Sequence, residues 1–277
     1  MCSIYCERSI RAAYWFASLA LCMIILSACS TVPLTGRHSL DLVSDSEMLT
    51  MSLQQYQDVM RKSTLSQDQQ KVQLVKNVGN RIARATEDLL RQRGLDGEVR
   101  NYKWEFNLIQ DDKTVNAWCM PGGKVAVYTG ILPIAQNETG LAVVMGHEIA
   151  HAVAKHGNER MSEGLLQQLG GATLSAALST SPAGTQNLFL QLYGATTNVA
   201  FMLPYSRIQE SEADHIGLIL MAKAGYDPRQ AILFWQRMAK ASGKSSLEFL
   251  STHPLPETRV KQIEALIPEA MTYYQRQ

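Results

Sequence analysis

Past its first 28 residues this chain has few cysteines, no net charge and no long apolar run. Five cysteines occur in 277 residues, and Cys2, Cys6 and Cys22 lie in a leader-like segment. With Cys29 read as a lipidation site, only Cys119 remains, which excludes an intramolecular disulfide even in an oxidising compartment. The 26 Lys and Arg face 25 Asp and Glu, and removing Glu7, Arg8 and Arg11 with the leader leaves the rest balanced. A neutral body argues against nucleic acid as a partner and against electrostatic adsorption to membranes. Nowhere past the leader are there the roughly 20 consecutive apolar residues that cross a bilayer. Gly164 to Leu203 is poor in charge, but Ser181, Pro182 and Gly184 break it and Gln167, Gln168, Gln186, Asn187, Gln191 and Asn198 interrupt its apolar stretches. That segment predicts either a flap over a site, with glycines permitting motion, or an ordinary packed hairpin. Internal repeats and low-complexity tracts are also lacking.

The leader itself is informative. Arg8 and Arg11 form a basic start, Ala12 to Leu26 is apolar, and Leu26-Ser27-Ala28-Cys29 has the form of a lipobox. Residues 1–28 then read as a lipoprotein signal peptide, cleaved to leave Cys29 acylated. The other reading, a transmembrane anchor, suffers from an apolar run that is slightly short. Ser30 after the cysteine resembles the signal for sorting to the bacterial outer membrane, and several acyl chains make such attachment stable. The expected location is the outer membrane, lipid-anchored and facing the periplasm.

Histidine is scarce too, 6 in the chain, yet two of them stand in His147-Glu148-Ile149-Ala150-His151. By chance an HExxH match is expected in only about one in a hundred chains of this length. Residues four apart on a helix lie one turn above each other, so both imidazoles can face one metal ion. The stretch Asn137 to Gly157 supplies a cap, an apolar face with Leu141, Val144 and Met145, and a terminal glycine, so it predicts a helix. This arrangement suits zinc hydrolysis, in which two histidines and a further ligand hold the metal and the carboxylate of Glu148 takes a water's proton.

A third ligand has candidates downstream. Ser206 and Gln209 are spaced as a capping box and Gly225 as a stop, predicting a second helix. Glu210 and Asp214 share a face of it, while Glu212 points roughly opposite. A carboxylate commonly completes a two-histidine zinc site, which favours Glu210, and Asp214 suits the free ring N–H of a ligating histidine. An acidic helix start stabilised by the helix dipole is the alternative. His156, about 140° around the helix from His151, reads as a helix C-terminal histidine instead of a ligand. His253 opens a stiff His-Pro-Leu-Pro loop and is open to three readings: fourth ligand, transition-state donor or lid.

HEIAH, then ESEAD at Glu210 to Asp214, then HPLPETR at His253 to Arg259 resemble the HtpX-like and CaaX-prenyl-protease-like zinc metalloendopeptidases. The likeness is strongest to the soluble periplasmic lipoprotein branch and the mitochondrial inner-membrane members. Val115 to Trp118 and Pro121 to Gly130 share it, so it spans roughly Asn101 to Arg259. It implies one zinc per chain held by His147, His151 and Glu210, with Glu148 as catalytic base and Asp214 as supporting carboxylate. In some periplasmic relatives the histidine matching His253 can approach the zinc and occlude the site. Unlike the membrane-embedded members, this chain shows no spanning helices around the motif.

The fold expected for residues 29–277 is α+β, a mainly helical zincin-like metallopeptidase domain with a small β-sheet. It divides into a helical N-terminal part, 44–94, and a catalytic core, 101–267. Ser44 to Glu47 and Ser66 to Gln69 are spaced as capping boxes, the second helix running towards Gly94. Trp104 to Ile109, Thr114 to Met120 and Lys124 to Tyr128 predict a small meander. Everything after Asn137 reads as helical, with Asp227-Pro228 capping one further helix and Pro256 starting the last. Substrate is expected to add as a strand near Asn116 and Ala117, by main-chain bonding that suits unfolded or misassembled envelope proteins. Two rivals stand beside this metalloendopeptidase: a non-proteolytic chaperone or assembly factor for outer-membrane proteins, and a structural lipoprotein with an accidental HExxH. Oligomeric state has no signal in the sequence.

Overall fold

Ser44 accepts from the Glu47 N–H and opens α1 (Asp45–Lys62). The computed structural model describes residues 29–168, 182–193, 205–242, 247–254 and 258–275. The leader, 1–28, and residues 169–181 and 194–203 of the anticipated hairpin lie outside them. Before α1, β1 (Cys29–Thr31) and β2 (His38–Leu40) form an antiparallel hairpin. After it, α2 (Gln69–Gln92) is capped by Asp68, whose carboxylate accepts from the Gln70 and Lys71 N–H groups. Ser66, the expected cap, instead donates to Gln110 and accepts from the Asp68 N–H, since it belongs to the turn before the helix. Gly94, at φ +72°, ends the run as expected, and the short α3 (Asp96–Val99) follows.

The sheet differs from the expected meander. Strands β3 (Glu105–Ile109), β4 (Ala117–Met120) and β5 (Lys124–Tyr128) lie in the order β3-β5-β4, with β3 parallel and β4 antiparallel to the central β5. The burial of Lys124 to Val127 explains why β5 takes the centre: only a strand covered on both edges and both faces suits it. Among the described residues β4 pairs only with β5, which leaves its other edge without a strand.

The rest is helical. A short α4 (Leu132–Ala135) precedes α5 (Glu138–Val153), capped by Asn137 and apolar on nearly every face, the signature of a central helix. It packs against β4, α2, α8 (Arg207–Lys223) and α9 (Gln230–Ser242). Between α5 and α8 come α6 (His156–Gln168) and α7 (Pro182–Tyr193), whose packing brings Gly164 against Leu188. Pro182 and Gly184 therefore sit at the start of a helix, where proline is tolerated. Two further helices follow α9, the short α10 (Glu248–Thr252) and α11 (Arg259–Tyr273). Residues 255–257, including Pro256, lie outside the described residues, and the last helix starts at Arg259. No helix among the described residues is long and apolar enough to cross a membrane. The protein is a predominantly helical α+β domain with a small mixed sheet, consistent with a zincin-like fold.

Candidate metal centre

Two glycines set the distance between the helices that carry the site. A Cβ on Gly217 would lie 3.0 Å from the Gly146 carbonyl carbon and from the His147 nitrogen. Helices α5 and α8 therefore touch backbone to backbone at this crossing. His147 and His151 on one and Glu210 and Asp214 on the other are thereby brought into contact. Helix α8 starts as expected, with both bonds of the Ser206–Gln209 capping box present.

Four buried side chains converge: His147, His151, Glu210 and His253. His147 Nε2 is 3.1 Å from His151 Nε2 and 3.2 Å from His253 Nδ1. Glu210 Oε1 is 2.9 Å from His253 Nδ1 and 3.3 Å from His151 Nε2. His147 Nδ1 lies 3.0 Å from Asp214 Oδ1, which places its proton there and leaves Nε2 a lone pair facing the cluster. Lone pairs at such separations repel one another unless a cation or a shared proton lies among them. For Zn–N near 2.05 Å, tetrahedral ligand atoms stand about 3.3 Å apart, close to these values. The donor set and spacing thus fit a single zinc, a His/His/Glu/His cluster typical of zinc metalloendopeptidases.

Glu148 lies beside the cluster, its Oε1 3.4 Å from His253 Nε2. Burial raises its pKa above the ordinary carboxylate value, against the pull of His253 and His147. At His147 burial opposes the charged form, but Glu210 and Asp214 outweigh it and hold the metal-free ring at about 9. Burial dominates at His151 and pushes it well below the usual histidine value. With neutral rings, Glu148, Glu210 and Asp214 against Arg259 leave a formal charge of minus two, which a divalent cation balances.

Arg259 enters the sequence reading only as the last residue of HPLPETR, with no role given, yet it is only 1% exposed and ties the acidic groups together. Its Nε and Nη2 each lie 2.8 Å from Asp214 carboxylate oxygens, and its Nη1 lies 2.8 Å from Glu210 Oε2. The guanidinium carbon sits 3.5 Å above the ring centre of Trp235, which also meets His147 edge-on. His253 is held by stacking on Phe249 and by its own N–H to the Phe249 carbonyl. Tyr205 covers His151, ring centres 3.9 Å apart.

His156 departs from the sequence reading. Helix α5 ends at Val153, Lys155 adopts φ +55°, and His156 begins α6, so Gly157 lies within a helix instead of ending one. The reversal turns His156 back onto His151. Asn116 and Ala117 are both buried. The Asn116 amide donates to Glu248, and its oxygen accepts from the Ala117 N–H. Its carbonyl takes the Tyr128 N–H at 3.0 Å, so by antiparallel alternation the remaining backbone groups of Ala117 and Cys119, both buried, face the edge of β4 that no described strand pairs.

A model of peptidase family M48 matches residues 76–267, which include every residue of the cluster. The mitochondrial metalloendopeptidase OMA1 of Schizosaccharomyces pombe is 41% identical over 174 residues, covering 62% of this chain and 49% of that protein. Human mitochondrial metalloendopeptidase OMA1 is 32% identical over 248 residues, 86% of this chain and 46% of that one. The beta-barrel assembly-enhancing protease of Escherichia coli K12 is 31% identical over 164 residues, 57% and 33% respectively. The chain thus spans about half the length, or less, of these relatives. With the matched span and the buried His/His/Glu/His cluster in agreement, the chain belongs to peptidase family M48.

Proposed function

We propose that this protein is a zinc metalloendopeptidase of the bacterial envelope, attached to the outer membrane through a lipidated Cys29 and facing the periplasm. The observation that carries the enzymatic reading is the buried cluster with Glu148 beside it. His147, His151 and Glu210 would hold the zinc, with Asp214 fixing the His147 ring and Arg259 fixing Asp214 and Glu210. Zinc bound there supplies Lewis acidity, lowering the pKa of water towards about 7 and polarising a peptide carbonyl. Glu148 takes the water's proton and later delivers it to the leaving amine, a role that suits a carboxylate whose pKa burial raises.

His253 occupies the remaining corner of the cluster. As a fourth ligand it would fill the position that water needs on a tetrahedral zinc, so the arrangement supports a latent enzyme in which His253 must move before cleavage. The unpaired edge of β4 supports binding of extended chain through backbone groups at Ala117 and Cys119. Such binding reads main chain more than side chains and suits unfolded or misassembled envelope proteins. The beta-barrel assembly-enhancing relative supports that substrate class. Incubating the protein with unfolded casein tests the reading: cleavage that stops on chelation and returns with added zinc supports it. Metal-loaded protein that binds unfolded chains without cutting them would point to the chaperone or to an enzyme held closed, and cleavage by His253→Ala separates the two.

A further inference from the structure

Each ring nitrogen that points away from the cluster has a partner, but the two histidines of the HExxH motif use different ones. His147 Nδ1 meets Asp214 directly. His151 Nδ1 meets His156 Nδ1 at 2.8 Å, and His156 Nε2 lies 3.0 Å from Glu212 Oε2. The proton positions follow from the direction of the chain. His151 presents Nε2 to the cluster, so Nδ1 carries its proton and donates to His156 Nδ1. His156 then holds its proton on Nε2 and donates it to the Glu212 carboxylate. His156 is fully buried.

The far end of this chain is fixed by the N-terminal hairpin. Glu212 accepts from the Thr35 hydroxyl and, at 2.8 Å, from Arg37 Nε. Arg37 also grips Glu159 through both terminal nitrogens, at 2.7 and 2.8 Å, and Glu159 accepts from Gln209 on α8. Thr35 and Arg37 sit in the turn between β1 and β2, closed by Val32 and Arg37 backbone groups. Thus a segment more than a hundred residues from the motif completes the hydrogen bonding of one of its rings.

We infer that His156 and Glu212 are positioning residues for His151 as a metal ligand, and that the Thr35–Arg37 turn clamps this relay so that metal affinity depends on the N-terminal hairpin. The inference rests on the reading that His151 holds zinc. A histidine ring free to rotate about its Cα–Cβ and Cβ–Cγ bonds must be ordered on binding, and a fixed partner at the remote nitrogen removes that cost. The loss of such partners typically weakens metal binding about 10- to 100-fold.

The test is zinc affinity by competition with a chromogenic chelator, on full-length protein, for wild type, His156→Ala, Glu212→Gln and Arg37→Ala. Circular dichroism of each metal-free protein establishes that it is folded at the assay temperature. The expected losses are about 10- to 100-fold for His156→Ala and Glu212→Gln and a smaller loss for Arg37→Ala, whose side chain is partly exposed. If His156→Ala and Glu212→Gln bind zinc within about twofold of wild type, the relay has no positioning role. Wild type that binds no zinc would remove the metal reading first, and this inference with it. Should His156→Ala fail to fold, nitrogen-15 spectra of the zinc-loaded wild-type histidines decide the matter. The relay requires the proton on Nδ1 of His151 and on Nε2 of His156; a proton on Nδ1 of His156 overturns it.

Discussion

At the residue scale, Arg259 ties together the two carboxylates on the acidic side of the site. It bonds both oxygens of Asp214 and lies against Glu210. Its replacement by alanine takes the guanidinium away from two buried carboxylates, a change that costs about 3–5 kcal/mol. Arg259→Ala is therefore predicted to melt well below wild type in the metal-free state, and Arg259→Lys to recover little, since an ammonium cannot bridge two carboxylates in a plane. Thermal melts of both variants check this, and a lysine variant as stable as wild type would contradict it. His253→Ala removes the group that closes the cluster. Its casein cleavage is expected to exceed wild type several-fold at saturating zinc, with metal stoichiometry intact; loss of zinc would instead make His253 an obligatory ligand.

The meeting of His147 and His151 with Glu210 and Asp214 was legible because HExxH and Glu210-to-Asp214 are local spacings on single helices, and four residues make about one turn wherever the helix lies. Arg259 and His156 were not. A buried arginine at a helix start has the same local sequence as an exposed one. His156 was placed by continuing α5 past Lys155, but a left-handed lysine, which nothing in the sequence marks, breaks the helix there.

At the scale of elements, the crossing of α5 and α8 decides whether four donors meet. Gly217→Ala would set a methyl group 3.0 Å from the Gly146 backbone, which cannot yield as a side chain can. The expected cost is about 1–3 kcal/mol from overpacking. A fall in zinc affinity should accompany it, because His147 and Glu210 are carried apart. Unchanged stability and affinity would show that the helices tolerate wider spacing. Helix positions were largely readable from caps and apolar periodicity, as at Ser44, Asn137 and Ser206. Strand order was not: alternation shows that Glu105 to Ile109 is a strand, but its parallel pairing with β5 depends on contacts made after a return of the chain.

At the scale of the whole molecule, a mainly helical domain surrounds the buried His/His/Glu/His cluster, and the 29–40 hairpin reaches back to one of its rings. The proposed lipidation places an anchor at the start of that hairpin. The α+β class was legible because a helical majority and a few β-rich stretches differ in period; the packing of the hairpin against Glu212 depends on tertiary contacts alone.

The most direct test of the central claim is zinc content and casein cleavage measured side by side for wild type and Glu148→Gln. The substitution keeps the shape of the side chain and removes the base, so stoichiometric zinc in both with cleavage only by wild type is the predicted result. Cleavage by Glu148→Gln at the wild-type rate, or wild type without zinc, would contradict it.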